Sequence, residues 1–185
     1  EAYRKAWNLN PEVAEAVNNR GILIWEKGRL GEGIDAYKLA LSVRPNYWEA
    51  LLNLGAELQK VHFASEDRSL YPSLEQLLNT TNVVSPADVA PAILSLLKHD
   101  PILVNMLQEP SGQLDLKTHL NHISKLEQLP LLQKLMRLCP LPDLELERVF
   151  TGIRSVLLGQ VSALVDTPFL ASFQSTLSLQ CFLNE

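Results

Sequence analysis

One spacing constrains this chain more than any other feature. Pro11 and Pro45, Gly21 and Gly55, and Asn19 and Asn53 each stand 34 residues apart. Tyr3 and Tyr37, and Ala6 and Ala40, keep the same interval. A period of this length fits two helices and a turn, a unit that cannot bury its apolar face alone and must stack on its neighbours. The expected fold class is therefore all-α, and the opening third is expected to be an array.

The period is most detailed over residues 14–47. Gly21 fills a small slot where the first helix of a unit touches the second, and Gly28 ends the first helix. Gly33, Tyr37 and Ala40 fall on the second helix as small, aromatic and small residues. Pro45 closes the unit, because proline cannot continue a helix. This pattern resembles the tetratricopeptide repeat (TPR), and the resemblance implies stacked helix-turn-helix pairs with a ligand-binding concave face. Residues 1–13 then read as the second helix of a preceding repeat. Residues 48–81 open a third repeat with Leu54 and Gly55. They depart from it where His62 replaces the turn glycine and Asp67 the small alanine, so the next helix should pack differently. The array is assigned to residues 1–81.

Beyond it the repeat is lost. All three tryptophans and five of the eight glycines lie in residues 1–55, whereas nine of the eleven prolines lie from Pro72 onward. Ser85-Pro86-Ala87-Asp88 reads as an N-cap, a first-turn proline and an acidic third position, followed by Val89, Ile93, Leu96 and Leu97 at helical spacing. Asp100-Pro101 opens a short helix ending near Pro110. Leu120, Ile123, Leu126 and Leu129 predict a helix stopped at Pro130, and Leu131, Leu132, Leu135 and Leu138 one running to Pro140. Asp143 opens a stripe of Leu146, Val149, Phe150, Ile153, Val156 and Leu157. A last helix is predicted from Pro168 through Phe173 and Leu177. No segment alternates apolar and polar residues, so no strand is expected. Residues 82–185 are thus read as a second, non-repeating helical domain.

The segments Asp143-Leu144-Glu145-Leu146-Glu147-Arg148 and Gln180-Cys181-Phe182-Leu183-Asn184-Glu185 resemble a helical region of bacterial proteins in which TPRs precede an S-adenosylmethionine-dependent methyltransferase domain. The resemblance covers about residues 83–185. It implies a catalytic domain beyond Glu185 and a recognition role for this part. The chain opens partway through a pattern without an initiator Met and is read as a piece of a longer protein. No strand is followed by a Gly-rich turn and a helix, as a nucleotide-type cofactor requires. No cofactor is therefore expected to bind here, and no enzymatic activity.

Other chemistries find little support. A net charge of −5 with no Lys/Arg cluster argues against nucleic acid. Apolar runs such as Gly21 to Trp25 are far short of the roughly 20 residues needed to span a bilayer. Cys139 and Cys181 are widely spaced and read as reduced core thiols of a cytoplasmic protein. Neither cysteine, nor any serine, sits in a nucleophile motif. Gly28-Arg29-Leu30-Gly31-Glu32-Gly33 lacks the Lys-Ser/Thr of a phosphate loop and falls at an interhelical turn. Asp115, His119 and His122 share a helix face, but a metal site needs further converging ligands, for which only His99 and Cys139 offer themselves. Asn79-Thr80-Thr81 reads as a polar turn.

Asn19 and Asn53 carry the functional expectation. At equivalent repeat positions they would form a ladder along the concave face, and an Asn amide offers two donors and an acceptor to an extended peptide backbone. The TPR arrays of O-linked N-acetylglucosamine transferases resemble this pattern. Asn18, Ile22, Trp25, Leu52 and Ala56 should share that face, with Trp25 as an aromatic anchor. The expected partner is a protein or peptide. A purely assembling role and a glycosyltransferase parent are the alternatives. Phe169 to Leu183 carries apolar residues on several faces, so self-association through the C-terminal helix is also expected.

Overall fold

The computed structural model describes residues 11–80, 82–108, 116–159 and Thr176. The protein is all-α: the described residues form nine α-helices and one 3₁₀ turn, with no strand among them. Their backbone contacts divide the chain into two compact units. One takes in the described residues up to Phe63 together with Asp67–Ile93, the other Ala64–Glu66 together with those from Leu94 onward.

In the first unit, α1 (Pro11–Glu26) and α2 (Leu30–Val43) pair across a short turn, and α3 (Trp48–Leu58) packs against α2 and, more lightly, α1. The turn after α1 depends on Gly28, whose φ of +75° is strained for any residue with a Cβ. Gly28 donates its backbone N–H to the Trp25 carbonyl at 2.7 Å. The α1–α2 contact is close because Gly21 has no side chain. A Cβ there would lie 2.7 Å from Cε1 of Tyr37 and 3.2 Å from the Cβ of Ala36. Ile34, Tyr37, Ala40 and Leu41 of α2 and Ala50, Leu51, Leu54 and Leu58 of α3 complete the core, all 3% exposed or less. These spacings of three and four residues lay one apolar stripe along each helix.

Two readings near this core need correction. Pro11 and Val13 belong to α1 and not to a preceding helix; Pro11 fits the opening position, where the missing N–H costs nothing. Residues 1–10 lie outside the described residues. Gly55 meets Val84, in the segment before the fifth α-helix below, where the repeat pattern had expected a partner helix.

After α3 the pattern breaks where His62 and Asp67 announced it. A second helix displaced by one period from Leu30 would start at residue 64. Instead Lys60 to Asp67 is non-helical, a 3₁₀ turn spans Arg68–Leu70, and α4 (Tyr71–Asn79) follows. Asp67 dictates the delay: its Oδ1 accepts from the Ser69 N–H at 3.0 Å, capping the 3₁₀ turn. Its Oδ2 pairs with Lys38 at 3.2 Å. Gln76 of α4 then donates to the Pro45 carbonyl and, at 3.1 Å, to Oδ1 of Asn46, tying α4 to the α2–α3 turn.

α5 (Pro86–Leu97) begins at the expected proline and contains the boundary between the units. In the second unit, α6 (Pro101–Gln108) is capped by buried Asp100, whose Oδ1 accepts from the Ile102 N–H at 2.9 Å. α7 (Leu116–Leu126) stops before the predicted Pro130, and Leu129 instead precedes α8 (Pro130–Leu138), whose first residue is that proline. α9 (Leu144–Gly159) is opened by Asp143, which accepts from the Glu145 and Leu146 N–H groups at 3.1 Å each. Asp143 also pairs with Lys98 at 2.6 Å. Leu146, Phe150 and Ile153 are buried along α9, which packs against α6 and α7. The helix predicted after Pro168, and the self-association assigned to it, lie outside the described residues apart from Thr176.

Candidate functional site

The first unit carries an open groove of about 390 Å³ built from three stretches of chain. α1 contributes Glu15, Asn18, Asn19 and Ile22, at the spacings of three and four that share one helix face. α3 contributes Glu49, Leu52 and Asn53 at the same offsets, one period later. Arg44 and Tyr47, from the turn between α2 and α3, complete the lining.

The two helices are joined within the groove by asparagines. Asn53 Nδ2 donates to Oδ1 of Asn18 at 3.0 Å, and Asn18 Nδ2 reaches Oδ1 of Asn19 at 3.5 Å. The spatial mate of Asn53 is therefore Asn18, only 3% exposed, and not its sequence counterpart Asn19. The chain of bonds engages both functional groups of Asn18 and one each of its neighbours. It leaves the Asn53 carbonyl and the Asn19 amino group without a partner among the described residues, one acceptor and one donor. A buried side-chain amide needs its bonds satisfied, so Asn18 acts as the strut that orients the two outer residues.

The turn is fixed by packing and charge. Tyr47 is 5% exposed, and the Arg44 guanidinium lies over its ring, 4.9 Å from the centroid. Burial raises the Tyr47 phenol above its ordinary value, Glu49 and Glu15 add to this, and Arg44 opposes it.

Of the seven residues singled out in the sequence, Asn18, Asn19, Ile22, Leu52 and Asn53 line the groove, and Trp25 and Ala56 do not. Trp25 is half-buried; its Cβ and Cε3 stand 3.4 Å from where a Cβ on Gly33 would lie, and the Lys60 ammonium is 5.8 Å from its ring centroid. Its area is thus engaged in packing on α2. Ala56 is exposed and is not part of the lining. Glu15, Arg44, Tyr47 and Glu49 were missed. The signal for two of them was present, since Glu15 and Glu49 are themselves 34 residues apart.

Gly28 to Gly33 forms the α1–α2 turn and the start of α2. Burial pushes the Cys139 thiol up to about 11, so it stays protonated at neutral pH and is a poor nucleophile. Cys181 and Asp115 lie outside the described residues. Among the described residues no three His, Cys, Asp or Glu side chains converge as metal ligands, and no helix is long and apolar enough to cross a membrane. Comparison with protein-family models, curated proteins and solved structures gives no match to this chain.

Proposed function

We propose that this protein is a peptide-binding module of tetratricopeptide-repeat type, whose groove between α1 and α3 takes an extended segment of a partner protein. The observation that carries this reading is the asparagine chain. Asn18 holds Asn19 and Asn53 so that one donor and one acceptor remain for a ligand, the pair that a peptide backbone complements. Leu52, 38% exposed, and half-buried Ile22 give apolar contact beside them, and the groove's volume lies within the range of ligand sites. Helix pairs related by a 34-residue sequence period support the repeat assignment. A place beside a methyltransferase domain rests on the resemblance of residues 83–185 alone.

A displayed library of random nonapeptides tests the reading. Selection on the whole chain is expected to enrich defined sequences, and Asn19→Ala/Asn53→Ala is expected to lose them while keeping its helical circular-dichroism spectrum. Equal enrichment by the double variant would contradict the assignment of the groove.

A further inference from the structure

We infer that the groove selects peptides carrying a lysine or arginine side chain, received between Glu15 and Glu49. This rests on the peptide-binding reading and goes further, to the charge of the ligand. Glu15 and Glu49 stand at equivalent positions on α1 and α3, so the sequence period places a carboxylate on each helix, one turn before its asparagine. Among the described residues neither makes an ion pair or a side-chain hydrogen bond. Arg44, the one cation among the described residues that line the groove, is engaged instead over the Tyr47 ring.

Independently of this charge count, the Glu49 Oε2 atom is shut off from solvent and has no hydrogen-bond partner. A carboxylate oxygen removed from water is costly unless a donor reaches it. A ligand ammonium or guanidinium beside the two carboxylates offsets this cost through its charge, without having to touch the enclosed oxygen. A ligand carboxylate would instead meet two like charges, with Arg44 the one compensating cation among the described lining residues, so acidic segments and free C-termini are disfavoured. Both carboxylates also act on the Tyr47 phenol, adding to the rise that burial gives it, with Arg44 opposing.

The test is the nonapeptide selection run in parallel on the wild-type chain and on Glu15→Gln/Glu49→Gln, followed by titration of the enriched peptides. The wild type is expected to enrich sequences with at least one Lys or Arg. Replacing that residue by Gln should weaken binding about tenfold, and the affinity should fall as salt is raised. The double Gln variant should still enrich peptides but show no basic preference. Enrichment by the wild type with no charge preference, or with an acidic one, would overturn this inference and leave peptide binding standing. No enrichment by the wild type would overturn both.

Discussion

Tyr37 and Glu57 show how buried ionisable groups tie the stability of the first unit to pH. Tyr37 is fully buried, and its hydroxyl has no hydrogen-bond partner. Burial, reinforced by Glu57 and Glu26, pushes the phenol up to about 12. Burial likewise pushes the Glu57 carboxyl up to about 7, with Lys60 pulling the other way, and Glu57 Oε2 is a second shielded atom without a partner. A carboxyl whose folded value stands above its ordinary 4.5 binds its proton more tightly when folded. Its effect on stability is therefore most favourable at acid pH, and is lost as pH rises from about 4.5 through about 7. Solvent screening of this partly exposed side chain keeps the change to about 1 kcal/mol. Chemical denaturation at several pH values should show wild type losing stability relative to Glu57→Gln between pH 5 and pH 7.5. A difference between the two that is constant over this range would contradict the assigned shift.

At the scale of helices, the fit of α1 to α2 turns on two glycines that behave oppositely. At Gly33 an added Cβ would make ordinary contact with Trp25 at 3.4 Å. Gly33→Ala should therefore gain about 0.5–1 kcal/mol from reduced backbone freedom. At Gly21 the same methyl would meet the ring of Tyr37, which is enclosed on all sides, so Gly21→Ala should lose about 1–3 kcal/mol through overpacking. Melting temperatures should move in opposite directions; movement in the same direction would disprove the α1–α2 register. The sequence made this contact legible because only a very small residue fits under an aromatic there. It did not make Gly55 legible. The same residue at the same spacing meets Val84, since Asp67 and Pro72 delay the following helix and different chain fills the space. Asp100 and Asp143 were readable as helix openings because capping is local. The end of α7 at Leu126 was not, because the apolar spacing runs on through Leu129.

At the scale of the molecule, the groove is one period of sequence folded back on itself. Positions 15, 18, 19 and 22 of α1 stand beside positions 49, 52 and 53 of α3. The period identified which residues recur, and hence five that line the groove. It could not show that Asn18 would take the inner place, because the offset between stacked helices is set by packing and not by counting. Trp25 was misplaced for a related reason: an aromatic on a helix serves equally as an anchor or as packing, and bare Gly33 opposite it leaves a hollow that its ring occupies. The central claim is that the asparagine chain between α1 and α3 receives a peptide backbone. A nitrogen–proton correlation spectrum, recorded while an enriched nonapeptide is titrated into the uniformly ¹⁵N-labelled chain, reads this directly. The account predicts that the side-chain amide signals of Asn19 and Asn53 move most, while backbone signals of the separate cleft at Val17, Asp35 and Leu39 stay in place. Stationary Asn19 and Asn53 amides with the largest shifts at that cleft, or in α8, would contradict it.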